Sequence, residues 1–203
     1  MARYVGRENV RKRLEPLAAL PGRTSYADGA ARIEAADETI TVRPPFGLAH
    51  AHVYDEIELG PLFEALFEDH VVAALLVRLG GYAVGVFEGE QLVASKVGTR
   101  FVKGRHKKGG SSANRFRRRR EEQERALIDA AAETAAQVLE PYRERIEYVA
   151  LGGDRAAVAR VAERLPWLEE KRLERFFTVS DPRQRELDRL PYELYAAELS
   201  EKR

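Results

Sequence analysis

Three apolar runs separated by glycine-bearing turns, His70–Leu79, Tyr82–Glu88 and Gln91–Thr99, constrain this chain more than any other feature. Each has the length and the β-branched or aromatic content of a strand, and Gly80-Gly81 and Gly89-Glu90 leave room only for tight hairpins between them. The pattern predicts an antiparallel meander. Its longest apolar run, Val71 to Val77, is too short to cross a bilayer, and the N-terminus has no apolar signal core, so a soluble, cytoplasmic protein is expected.

The meander delivers the chain into its most basic stretch. Gln91 to Arg120 holds eleven Lys or Arg and no Asp or Glu, which leaves 23 of the 34 basic residues to face all 33 acidic ones elsewhere. A single basic segment on an otherwise acidic chain predicts a partner with dense negative charge, of which a nucleic-acid backbone is the commonest. Lys103, Arg105, His106, Lys107 and Lys108 precede Gly109-Gly110, and Arg115, Arg117, Arg118, Arg119 and Arg120 follow it; all ten are candidates for binding a nucleic-acid backbone.

From Ser112 on, Phe116, Leu127, Ala130, Ala131, Val138 and Leu139 recur at helical spacing, and Pro141 ends the segment. The spacing predicts a helix of about 112–140 with Ser111 or Ser112 as N-cap. Cations in its first turns oppose the helix dipole, so stability alone does not account for the arginines. Pairs at i,i+4, namely Arg117 with Glu121, Arg118 with Glu122 and Arg120 with Glu124, offset part of that cost. Free backbone N–H groups, glycines and five arginines are expected to converge on one phosphate-binding spot.

Elsewhere the signals are local. Val10, Leu14, Leu17 and Leu20 form a helical stripe over residues 7–20 that Pro21-Gly22 stops. Thr39–Val42 alternates like a strand, and Pro61–Glu68 reads as a short helix. After the long helix come a strand at Ile146–Leu151, a helix at Asp154–Leu165, a strand at Arg175–Val179 and a closing helix at Arg183–Leu199. The order implies an α+β fold, a mixed β-sheet covered by helices. Two domains are expected: residues 1–68, a helix plus short strands, and residues 69–203.

Several chemistries fit poorly. No cysteine is present, which removes disulfides, thiolate metal sites and thiol nucleophiles. The three meander strands contain no Asp, so a carboxylate-bound metal of the nuclease kind is not expected. His50 and His52 stand two apart but lack an identifiable third ligand. Gly152-Gly153-Asp154 has no Walker lysine and reads as a turn and helix N-cap. Ser111 and Ser112 lack a local base with its own acid, His106 being the one neighbour of the right type. No metal or cofactor is expected.

The run Lys107-Lys108-Gly109-Gly110-Ser111-Ser112-Ala113-Asn114-Arg115-Phe116, continuing through the arginines to Glu121 and Glu122, resembles the catalytic loop of archaeal and eukaryotic class-1 peptide release factors. In that family a Gly-Gly-Gln tripeptide preceded by basic residues leads through Ser, Ala and an Arg-Phe pair into a long helix. The chain resembles more closely the Vms-like release factors in their compact bacterial form. The segment Ile146–Gly152 and the ending from Leu173 to Leu199 look like the last strands and terminal helix of the same domain, so the resemblance covers roughly residues 70–203.

That resemblance implies a ribonuclease-H-like catalytic domain with an N-terminal extension, acting as a peptidyl-tRNA hydrolase in ribosome rescue and ribosome-associated quality control. The implied partners are peptidyl-tRNA and the peptidyl-transferase centre of the large ribosomal subunit, with a monomer expected and no codon reading. Gly109, Gly110, Ser111 and Ser112 occupy the catalytic positions. The family's glutamine is absent from both registers, since Ser111 and Ser112 stand where it would fall. Gln123, eleven residues beyond Ser112, is about 16 Å away along a helix and is no simple substitute. The alternative is a catalytically silent module that binds tRNA or ribosomal RNA with the same loop.

Overall fold

The computed structural model describes residues 2–100 and 113–202, and the chain divides into two units: Met1–Asp69 with Leu190–Arg203, and His70–Arg189.

The first unit begins with β1 (Arg3–Gly6) and α1 (Arg7–Leu14), which runs into a 3-10 turn at Glu15–Ala19. Val10, Leu14 and Leu17 of the predicted stripe are buried, whereas Leu20 is exposed. Three strands follow, β2 (Gly22–Ala27), β3 (Ala30–Ala35) and β4 (Glu38–Arg43), then β5 (His52–Tyr54) and α2 (Gly60–Phe67). The expected single strand near residues 39–42 is thus the last of a meander. At its first turn Asp28-Gly29, both at positive φ (51° and 70°), is the pair that a two-residue hairpin favours, a signal that the sequence carries. Ile33, Ile40 and Val42 close a core with Val10, Leu14, Leu62 and Leu66.

The second unit contains β6 (Val71–Arg78), β7 (Gly81–Glu88), β8 (Gln91–Thr99), α3 (Ala113–Leu139), β9 (Tyr148–Gly153), α4 (Arg155–Ala162), α5 (Trp167–Glu170) and β10 (Arg172–Phe177), and it supplies the start of α6 (Gln184–Leu194). Its sheet has the order β10-β9-β6-β7-β8. β6, β7 and β8 form the predicted antiparallel meander, while β9 and β10 add in parallel on the other edge of β6. This is the mixed sheet expected of a ribonuclease-H-like domain. Leu127, Ala131, Ala135 and Leu139 of α3 are buried in one cluster with Tyr82, Val84 and Val86 of β7 and Val158 and Val161 of α4. Inside it the buried Tyr82 hydroxyl and Thr134 Oγ1 satisfy each other at 3.0 Å.

The end of the chain differs from expectation. The closing helix stops at Leu194, and residues Ala196–Lys202 form β11, antiparallel to both β1 and β4. The first unit's sheet therefore reads β1-β11-β4-β3-β2-β5, and the anticipated 69–203 domain loses its last fourteen residues to the first unit. The physical reason is burial: Ala197 and Leu199 fill the first unit's core, and that outweighs the helix propensity of the Ala, Glu and Leu residues there. Arg13 of α1 fastens this strand, donating from Nε to Glu201 Oε1 at 2.9 Å and pairing with Glu38 of β4.

Gly152-Gly153-Asp154 proves to be a junction rather than a phosphate loop. Asp154 Oδ1 accepts the Ala157 N–H at 2.9 Å as the N-cap of α4, and the Asp154 N–H donates to Val77 O at 2.7 Å. Gly153 has φ +102°, and a Cβ there would lie 2.1 Å from Val77 O. Gly80, at φ +112°, has open space around it. Gly80→Ala should therefore cost only backbone strain, about 1 kcal/mol, and Gly153→Ala more than twice that, about 2–4 kcal/mol. Urea unfolding of the two variants checks the ranking.

Glu147 joins the start of β6 to the chain entering β9. Its Oε1 accepts the Val71 N–H and its Oε2 meets His70 Nδ1, each at 2.9 Å. Desolvation pushes the carboxyl up, but the Val71 and His70 hydrogen bonds together hold it below the usual range. A depressed carboxylate stabilises the fold fully above its unfolded pKa of about 4.3 and loses that contribution as pH falls through the lower native value. Glu147→Gln should therefore unfold at lower urea than wild type at neutral pH, with the gap closing in acid. A gap that stays constant down to pH 2 would contradict this linkage.

Candidate nucleic-acid interface

The observed helix α3, Ala113–Leu139, agrees with the predicted 112–140. Among its described side chains, residues 114–119 are all exposed, and none is buried before Leu127. The arginines therefore stand on turns that contribute nothing to the core. Phe116, expected on the buried stripe, is 44% exposed among them.

The five arginines do not converge on one spot. Consecutive helical residues diverge by about 100°, so a run of four must face all round the axis. Arg115, Arg118 and Arg119 line one groove of about 410 Å³ together with Asn114 and Glu122. Arg117 pairs with Glu121 at 3.8 Å. Arg120 turns toward the body of the unit, its Nε 2.9 Å from Glu124 Oε1. Two of the three anticipated i,i+4 pairs thus form; Arg118 with Glu122 is not among the described ion pairs. Reading the run as one cluster overlooked the helical rotation.

Lys103, Arg105, His106, Lys107, Lys108, Gly109, Gly110, Ser111 and Ser112 lie outside the described residues. Gln123 sits on α3, half-buried, one turn before Leu127. His50 and His52 belong to an aromatic cluster in the first unit: His50 Nε2 lies 3.0 Å from the Tyr54 hydroxyl, and the His52 ring stands edge-on to Tyr54 at 4.6 Å. Among the described residues no group of three or more His, Asp or Glu is arranged to hold a metal. No helix there is long and apolar enough to cross a membrane.

Sequence reasoning missed the surroundings of Arg120. A cavity of about 220 Å³ is walled by Arg120, Glu124, Leu127 and Ile128 of α3, by Leu79 from the β6–β7 turn, and by Asp154, Ala156, Ala157 and Arg160 at α4. No local signal places Arg160, forty residues downstream, beside Arg120.

The long helix that opens with these arginines follows Gly109-Gly110 in the sequence and packs on the mixed sheet of the second unit. Residues 70–200 match the family described as Actinobacteria/chloroflexi VLRF1 release factor. The match spans well over half of the chain, and the chain belongs to that family, in agreement with the Vms-like resemblance carried by residues 107–122. The peptide chain release factor subunit 1 of Archaeoglobus fulgidus is 28% identical over 116 residues, which is 57% of this chain and 28% of that protein. The chain thus matches less than a third of that relative's length. Among solved structures, the archaeal translation termination factor aRF1 has a TM-score of 0.47 at 16% identity, covering 93% of this chain and 54% of that one. Another, described only as an archaeal protein, has a TM-score of 0.41 at 14% identity, covering 93% and 55%.

The groove allows a test of its electrostatics. If the groove holds the phosphates of an RNA, replacing Arg115, Arg118 and Arg119 together by Glu should weaken RNA binding about 100-fold near physiological salt and flatten its salt dependence, because three cations that displace counterions are reversed. Acidic residues in the first turns suit the helix dipole, so the variant should fold at least as well as wild type. Filter binding of tRNA across a salt series, with circular dichroism for folding, measures both; unchanged affinity in a folded variant would refute the groove's role.

Proposed function

We propose that this chain is a peptidyl-tRNA hydrolase that releases nascent peptides from stalled or split ribosomes without reading a codon. One observation carries the reading: the family match over residues 70–200 coincides with an exposed, arginine-bearing helix start immediately after Gly109-Gly110. RNA is the polyanion such a face meets, through the large subunit and the tRNA acceptor end.

In the proposed reaction, water attacks the carbonyl carbon of the ester between peptide and tRNA. The carbonyl oxygen takes up the electron pair, and backbone N–H groups after Gly109-Gly110 stabilise the resulting oxyanion. Collapse breaks the ester C–O bond, the tRNA hydroxyl leaves with the proton that water gave up, and the peptide departs as a carboxylic acid. Ser111 or Ser112 would hold the attacking water by one hydroxyl, a shorter reach than the family's glutamine.

The same substitution favours a second reading, a catalytically silent module that binds tRNA or ribosomal RNA. Single-turnover release of labelled peptide from peptidyl-tRNA on isolated large subunits separates the two. Gly110→Ala should slow release roughly 10- to 100-fold while leaving binding intact, since it restricts the backbone and removes no charge. Ser111→Gln or Ser112→Gln should preserve or raise the rate. Wild-type release no faster than background, with binding intact, would leave only the silent module.

A further inference from the structure

The cavity beside Arg120 lies away from the groove of Arg115, Arg118 and Arg119, since Arg120 is rotated about 200° from Arg118 on the helix. Its wall is apolar at Leu79 and Leu127, and its rim carries Arg120, Glu124, Asp154 and Arg160. Three of these four are partly committed. Glu124 faces Arg120, and Asp154 gives Oδ1 to the Ala157 N–H. Arg120 Nε, although 2.9 Å from Glu124 Oε1, does not aim its N–H at the carboxylate, and it is a buried polar atom with no hydrogen-bond acceptor among the described residues. Arg160 is exposed and makes no ion pair or hydrogen bond among the described residues.

We propose that this cavity takes one unpaired base of an RNA strand whose phosphates lie along Arg117, one turn earlier on the same helical stripe. The inference rests on the RNA-binding reading above and specifies where a base is held. A phosphate presents acceptors alone and would meet two carboxylates on this rim. A base edge presents donors and acceptors together, so the donors of Arg120 and Arg160 and the free oxygens of Glu124 and Asp154 can both be used. Leu79 offers an apolar surface to one face of the ring, and the planar guanidinium of Arg160 can stack on the other. The strand must be unpaired there, because a base held in a duplex cannot enter a cavity in the protein.

Two variants test this in the full-length protein. Ala156→Trp puts a ring at the mouth of the cavity from an exposed position and changes no charge. Arg160→Lys keeps the charge and loses the plane. Affinity for a labelled single-stranded oligoribonucleotide and for its duplex form is measured, with tRNA and isolated large subunits as further probes to show which RNA supplies the base. Ala156→Trp should weaken single-strand binding about tenfold with an unchanged salt slope, and Arg160→Lys about threefold, while duplex binding stays as in wild type. Single-strand binding unchanged in both folded variants, with binding lost when Arg115, Arg118 and Arg119 are reversed, would overturn the base pocket and leave the RNA reading standing. Binding retained in that triple variant too would remove both.

Discussion

The second unit depends on β6 being paired along both edges, antiparallel to β7 and parallel to β9. A parallel neighbour cannot be reached by a tight turn, so the chain must cross from β8 back to β9 over the sheet, and α3 makes that crossing. Its 27 residues extend about 40 Å, whereas a strand of eight residues spans about 26 Å. The surplus is about two and a half turns. Those are the turns bearing the arginines, which explains how a helix can be anchored by Leu127, Ala131 and Leu139 and still present an exposed, arginine-rich end.

The same pairing fixes the chemistry of the β9–α4 junction. Val77 O, at the end of β6, receives the Asp154 N–H, and the approach is close enough that only glycine fits at position 153. Asp154 then caps α4, and α4 brings Arg160 to the cavity that Arg120 borders. A sequence element without a nucleotide-binding signature thus positions a residue of the candidate interface. The basic stretch and this junction are far apart in sequence, and the cavity exists only where α3 and α4 share one core.

Charge separation shapes the candidate interface. Eleven cations in one segment of a nearly neutral chain concentrate positive charge around Gly109-Gly110 in the sequence, and helical rotation then turns the arginines toward different surroundings. Arg115, Arg118 and Arg119 offer charge to an open groove, while Arg120 is drawn toward Glu124 and the body of the unit. For a release factor, the first arrangement suits phosphates and the second suits a group with more varied polarity.

The sequence by itself determined what local chemistry determines. Apolar runs and glycine pairs specify β6, β7 and β8 almost to the residue, helical periodicity and Pro141 bound α3, and Asp154 announces its own cap, because each signal acts within a few residues of its effect. Asp28-Gly29 was equally legible. Only the tertiary structure decided that residues 196–202 are a strand, since Ala197 and Leu199 gain more from the core between β1 and β4 than Ala, Glu and Leu gain from helical propensity. It likewise decided which arginines share a surface and that Arg160 stands beside Arg120. Spacing along the chain sets the direction in which a side chain leaves its helix; which neighbour it meets depends on how distant elements pack, and that packing is written in no single segment.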